Sequence, residues 1–180
     1  MAKFGVGQSV KRKEDNDLLL GTGRFQDDIN LPGQTHAYFV RSVHAHAEIE
    51  RIESAAALAM PGVVAIYSGA DVEADGLGTV PCLMDAFVPL VRPDGNPRYY
   101  PPNYLLPTER ARHVGEAVAM VIAETATQAR DAAEAMDITY RELPCVVETA
   151  GAEAPDAPTI WPEAPGNLSF LWEHGDRAAV

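Results

Sequence analysis

The chain has 180 residues, 47% of them hydrophobic, and 14 Lys and Arg against 26 Asp and Glu give a formal net charge of −12. That length and apolar content suffice for one domain with a real core and exclude a disordered chain. The acidity excludes the concentrated basic surface that nucleic-acid binding needs, and the longest apolar run, Ala117–Ala123, is far too short to cross a bilayer.

Residues 1–17 read as an N-terminal arm that carries positive charge but no apolar stretch behind it, so no secretory signal is visible. Lys11-Arg12-Lys13 is followed at once by Glu14, Asp15 and Asp17, the pattern of a mixed-charge solvated arm rather than a phosphate-binding patch. Residues 1–35 hold few regular elements. Gly21-Thr22-Gly23 and Leu31-Pro32-Gly33 mark turns, and Phe25 and Ile29 are the expected buried anchors.

His36–Arg41 (HAYFVR) predicts a strand from its aromatic and β-branched content. Ala47–Ile52 is a weaker strand, because Ile49 and Ile52 also fit a helical spacing. Ser54 is placed to cap a short alanine-rich helix through Met60. Pro61-Gly62 ends that helix, and Val63–Tyr67 is again a strand.

From Asp75 to Arg112 the pattern breaks down. Prolines 81, 89, 93, 97, 101, 102 and 107 rule out a long helix and most central strand pairing. Pro93-Asp94-Gly95-Asn96 is a strong turn signal, with Val88–Val91 and Arg98–Tyr100 as short arms on either side. The excursion reads either as a cover laid on another domain or as an ordered surface loop.

The stretch from His113 to Pro144 is the most legible. Val114–Ala123 is apolar on both alternating faces apart from Glu116, which suits a strand covered on both sides, with Gly115 marking a bulge or a close backbone approach. Thr125 and Gln128 have the capping-box spacing, and Ala126, Ala129, Ala133 and Met136 then mark one helical face to bury. Ile138 and Tyr140 open a second strand, which Pro144 limits. From Ala150 the chain turns to Ala, Pro, Asp and Glu. Trp161, Phe170 and Trp172 stand out there as anchors that dock on this domain or on a partner.

Few residues suggest chemistry. On a strand, His44 and His46 would share a face and could share a metal, but His36, His113 and His174 are not at supporting ligand spacing, so a structural pair is the reading preferred. Glu116 is the acidic group expected near the core. An ion pair with Arg110 or Arg112 at the strand end is preferred over a buried catalytic acid. Gly21-x-Gly23 follows no strand and opens no helix, so it is a turn and not a dinucleotide loop. Asp27-Asp28 reads as a solvated turn before a cation site. Cys82 and Cys145 lack a CxxC partner, and reduced thiols in a cytoplasmic protein are a simpler reading than a disulfide. No Ser/His/Asp or Cys/His arrangement is legible.

Five segments nevertheless occur in a telling order: Arg12-x-Glu14-Asp15 through Leu19-Leu20-Gly21-x-Gly23-x-Phe25-x-x-Asp28, then HAYFVRSVHAHAEI, AMPGVVAIYSGAD, HVGEAVAMVIAE with DAAEAMDITYRELP, and APGNLSFLWEHGD. Together, from about Arg12 to Asp176, they resemble the N-terminal a/b hammerhead domain of the molybdenum-binding large subunit in the xanthine dehydrogenase, aldehyde oxidase and carbon monoxide dehydrogenase family. The proline-rich span 75–106 matches least. The resemblance implies an α+β hammerhead-type fold, with a mixed sheet built from strand–helix–strand units. It divides the chain into a domain over residues 1–150 and a docking tail or linker over 151–180.

It further implies a parent oxidoreductase that hydroxylates aldehydes or aromatic heterocycles, or oxidises carbon monoxide. Such a parent uses molybdenum–molybdopterin, with iron–sulfur clusters and FAD in the complex. In the family the cofactor ligands and the catalytic base lie beyond this segment, so no catalytic, cofactor-binding or metal residue is assigned here. The expected partners are downstream molybdopterin-binding domains, together with iron–sulfur and FAD subunits or domains. The ending at Val180 reads as that of an excised domain rather than a natural small subunit. The competing readings are a stand-alone interaction or small-ligand module with this fold, and a free-standing enzyme using Glu116 or His113 as base.

Overall fold

The computed structural model describes residues 7, 10–82, 90–172 and 174–175. Residues 1–6, 8 and 9 of the expected arm, Val88 and Pro89 of the excursion, and Asp176 lie outside them. The chain divides into two compact units, Met1–Gln34 and Thr35–Val180.

In the first unit a single-turn helix, α1 (Asp15–Leu19), is followed by a tight reversal in which Gly21 takes φ +71° and the Thr22 N–H reaches the Asp17 carbonyl at 2.9 Å. A 3-10 turn at Gln26–Asp28 is closed by the Asp28 carboxylate, which accepts the Phe25 N–H at 2.9 Å. Asp28 is therefore a turn-closing residue. Phe25 and Ile29 are 66% and 52% exposed, so they are not the buried anchors expected. One-turn elements closed by local bonds offer no second layer to cover an aromatic ring.

The second unit holds two antiparallel sheets of three strands each: β1 (His36–Arg41), β5 (Ala117–Ala123) and β3 (Val63–Ser68) in the order β1-β5-β3, and β4 (Arg110–Ala111), β2 (Ala47–Glu53) and β6 (Asp137–Glu142) in the order β4-β2-β6. The α+β hammerhead expectation holds, but the expected mixed sheet is replaced by this antiparallel pair. The reason lies in the crossovers. The helices α2 (Ala55–Leu58) and α4 (Ala126–Glu134) each carry the chain from one sheet to the other, so β2–α2–β3 and β5–α4–β6 never place parallel neighbours side by side.

The core follows from register. Val121 lies opposite both Tyr38 and Ile66, and its face packs against Ala132 and Ala133 of α4 and Ala57 of α2, with Val40, Met60, Val63 and Met136 around them. Small alanines let the helix sit close to the sheet. Thr125 caps α4 as its sequence predicts, accepting the Gln128 N–H at 3.2 Å. The buried face is Ala129, Ala132 and Ala133; Ala126, expected on it, is exposed.

Three local expectations shift. β5 starts at Ala117, not Val114, since Gly115 adopts φ +85° in a turn ahead of the strand, and the register irregularity falls at Val40/Arg41 instead. Ser54 makes no side-chain cap for α2. An unexpected helix, α3 (Gly69–Ala74), is capped by Ser68, whose N–H and hydroxyl both donate to the Asp71 carboxylate at 2.7 Å. Hydrogen bonding from the Ser68 hydroxyl, then from its N–H, holds the Asp71 carboxyl below its ordinary value. Gly69 is required there, because a Cβ would stand 2.5 Å from the Pro107 carbonyl oxygen. The returning end of the excursion is thereby held against α3.

Local backbone bonds hold the described part of the excursion. Arg92 N–H to Asn96 O (2.9 Å) and Gly95 N–H to Arg92 O (2.9 Å) close the predicted turn, with Gly95 at φ +82°. Val91 bridges both Pro97 and, on its other side, Leu171 of the tail.

Candidate functional site

The histidine pair does not lie on a strand. His44 and His46 sit in the bend between β1 and β2, where His44 Nδ1 is 3.3 Å from Glu142 Oε1 and His46 Nδ1 is 2.8 Å from the Pro144 carbonyl. His46 is 6% exposed and ties the bend to the end of β6, and its Nε2 has no hydrogen-bond partner. Among the described residues no three His, Cys, Asp or Glu side chains converge as metal ligands. Cys82 and Cys145 are free and exposed.

Glu116 is placed differently from either reading of it. Its carboxylate accepts the backbone N–H of Arg112 and so closes the His113–Gly115 turn. Arg110, one expected partner, pairs instead with Glu48 at 3.2 Å, which Arg141 also contacts. His113 is exposed, with Nδ1 3.1 Å from the Val114 carbonyl.

The chemistry-bearing concavity of the second unit is one that sequence reasoning missed. Three remote segments build it: the excursion (Arg98–Tyr104), the turn before β5 (Arg112, Glu116) and the tail (Ile160, Trp161, Ser169). Its volume is about 450 Å³. The Arg112 guanidinium lies 3.8 Å over the Trp161 ring, and Tyr99 tilts against the same indole at 6.0 Å. Arg98 stacks on Tyr100 at 3.9 Å and donates from Nη2 to Cys82 Sγ at 3.1 Å. Tyr99 is fixed by Ser169, with Tyr99 N–H to Ser169 O at 3.1 Å and Ser169 Oγ to Tyr99 O at 2.6 Å. Burial first, and the Glu163 carboxylate second, push the Tyr99 phenol above its ordinary value. The tail is pinned by Asn167 at φ 55°. Its amide donates to Ala152 O (2.9 Å) and Pro158 O (3.0 Å) and accepts the Ile160 N–H (2.9 Å). Thus Trp161 docks on this unit, while Trp172 remains 64% exposed and stacks on His174.

A second cavity, about 440 Å³, lies on the face of the first sheet away from α4 and is lined by Phe39, Tyr67, Met120, Leu105 and Leu106, with Asp75 as its acid. Among the described residues no helix is long and apolar enough to cross a membrane.

Comparison with known proteins places this geometry. Residues 20–144 match the family described as aldehyde oxidase and xanthine dehydrogenase, a/b hammerhead domain. The chain is 32% identical to the carbon monoxide dehydrogenase large chain of Hydrogenophaga pseudoflava, an alignment covering 100% of this chain and 22% of that protein. It is 34% identical to the xanthine dehydrogenase molybdenum-binding subunit of Escherichia coli O157:H7, over 79% of this chain and 18% of the other. The crystal structure of quinoline 2-oxidoreductase from Pseudomonas putida 86 superposes with a TM-score of 0.69 at 35% identity, over 87% of this chain and 19% of that one. The chain spans about a fifth of the length of these relatives.

Proposed function

Since the chain belongs to the aldehyde oxidase and xanthine dehydrogenase a/b hammerhead family, we propose that it serves as the N-terminal structural domain of a molybdenum-dependent oxidoreductase. The observation that carries this reading is what the acid and base candidates inside the matched span do. Glu116 closes a turn on the Arg112 N–H, and His113 Nδ1 lies 3.1 Å from the Val114 carbonyl. Glu116 is thereby spent on the fold, and among the described residues no three His, Cys, Asp or Glu side chains converge as metal ligands.

The relatives' names fit a parent enzyme acting on carbon monoxide, purines or aromatic heterocycles. In this proposal the catalytic residues and the molybdenum–molybdopterin lie in the remainder of such a large subunit, and iron–sulfur and FAD subunits or domains complete a cytoplasmic complex. In this proposal no residue of this chain is assigned to that cofactor. The described side chains offer no converging set of three metal ligands, and the polar concavity presents guanidinium and aromatic groups rather than a donor cluster. No step of the parent's chemistry is therefore routed through this chain.

Residues 151–180 are, in the same proposal, a docking segment leading toward the cofactor-binding region, with Trp172 available to a partner. Metal analysis of the purified chain is the test: the expected result is no stoichiometric molybdenum or iron. One equivalent of either, retained through dialysis, overturns the structural reading.

A further inference from the structure

We propose that the concavity around Arg112 is a binding site for a small aromatic carboxylate. This goes beyond the structural role proposed above and does not rest on it.

The first support is an arginine whose charge is unanswered. In a chain of net charge −12 acidic partners abound, and Arg92, Arg110 and Arg130 each have a carboxylate within ion-pair distance, at 3.8, 3.2 and 3.0 Å. Arg112 has none among the described residues. Its Nε is buried without a hydrogen bond, and Nη1 makes only a long contact of 3.4 Å to the Arg110 carbonyl. Desolvating a guanidinium without a counter-charge is costly, and its planar fork is matched by a carboxylate above other acceptors. Trp161 takes one face of the guanidinium at 3.8 Å and fixes its plane, so the in-plane donors remain for a ligand.

The second support is the wall chemistry. Trp161, Tyr99, Tyr100 and Tyr104 line the concavity, and the Tyr100 hydroxyl is a further buried group with no hydrogen-bond partner. Planar rings with a few convergent donors, in a volume of about 450 Å³, suit a small planar ligand better than a chain segment. Glu116 also lines the site, and its negative charge opposes an anion. Its carboxylate, however, is engaged by the Arg112 N–H.

The probe is benzoate, titrated calorimetrically into the whole chain, with benzamide (the ring without the charge) and acetate (the charge without the ring) as comparisons. Benzoate should bind saturably, and each comparison compound at least about tenfold more weakly, because ring and carboxylate are both required. Arg112→Gln should weaken benzoate by about tenfold or more, Arg112→Lys by less, and the distant Arg130→Gln not at all. In wild-type protein, benzoate should shift the Trp161 indole N–H and the Arg112 Nε–H resonances, a readout independent of whether the variants fold. Absence of saturable benzoate binding, equal binding of acetate, undiminished binding by folded Arg112→Gln, or shifts centred elsewhere would each overturn the proposal.

Discussion

The β5–α4–β6 half of the second unit and the layer formed by the excursion and the tail are held together by different physics. In the first, small apolar side chains close a seam between α4 and the β1-β5-β3 sheet: among the described residues Val121, Ala129 and Ala132 are fully buried, and the core cluster there is hydrophobic. In the second, arginines lie on aromatic rings, a hydroxyl and an amide tie backbone to backbone, and the pieces come from residues 90–104, from Arg112 and from residues 152–171. The first gains its stability from burial and is indifferent to charge. The second is built from groups that are half-buried and polar, which makes it adaptable and leaves donors for a ligand.

The largest expected effect tests the seam. Val121→Asp places an unpaired carboxylate beneath α4 and should cost on the order of 4 kcal/mol or more, a large share of a typical domain's stability. Loss of the cooperative thermal transition is the expected result; a melting curve close to wild type would remove the distinction between the two regions. The next effect is local. Asn167→Ala deletes three hydrogen bonds and leaves an alanine at φ 55°. It should loosen the tail by about 2–3 kcal/mol, at about 1 kcal/mol per bond. Limited proteolysis should then cut within 152–171 while the melting of the sheets stays near wild type. Global unfolding by this substitution would mean that the layer and the core are one cooperative unit.

A smaller effect returns to the core's edge. Thr125→Ala removes the oxygen that accepts the Gln128 N–H and should lower global stability by about 1 kcal/mol, with Thr125→Ser restoring most of it. Chemical denaturation with both variants measures this directly.

Legibility in the sequence follows the same division. β1, β5, α4 and β6 could be read because each announces itself within a few residues, by period or by the Thr125 cap. Ser68-x-x-Asp71 carries the same kind of local signal for α3. The start of β5 is not legible, because an apolar run does not reveal the positive φ of Gly115. Long-range matters were not readable. Nothing local says that α2 and α4 cross between two sheets, and nothing in the sequence separation of Arg112 and Trp161 announces their stacking. Hydrophobicity alone points Phe25 and Ile29 to a core, yet both are exposed. The site suffered most, since its residues lie on three segments whose meeting depends on the tail's path.

The subtlest test sets one tyrosine from each region against the other. Tyr140 on β6 and Tyr99 in the layer both have phenols raised above the ordinary 10.0, in each case chiefly by burial. Only Tyr99 has a carboxylate beside it, Glu163, with Tyr99 Oη 3.4 Å from Glu163 Oε2. A raised folded value means that the neutral phenol is favoured in the native state. The stability it contributes is complete below the ordinary phenol value and is lost as pH rises through the raised one. Glu163→Gln removes the negative charge that opposes tyrosinate formation, so Tyr99 should ionise at lower pH than in wild type while Tyr140 does not move. Spectrophotometric titration of tyrosinate should therefore show one phenol advancing toward the exposed tyrosines and one unchanged. If both advance together, a general loosening by the substitution is responsible, and the layer is not electrostatically separate from the core. If neither moves, the Glu163 contact contributes nothing at alkaline pH, and burial alone sets Tyr99 as it does Tyr140.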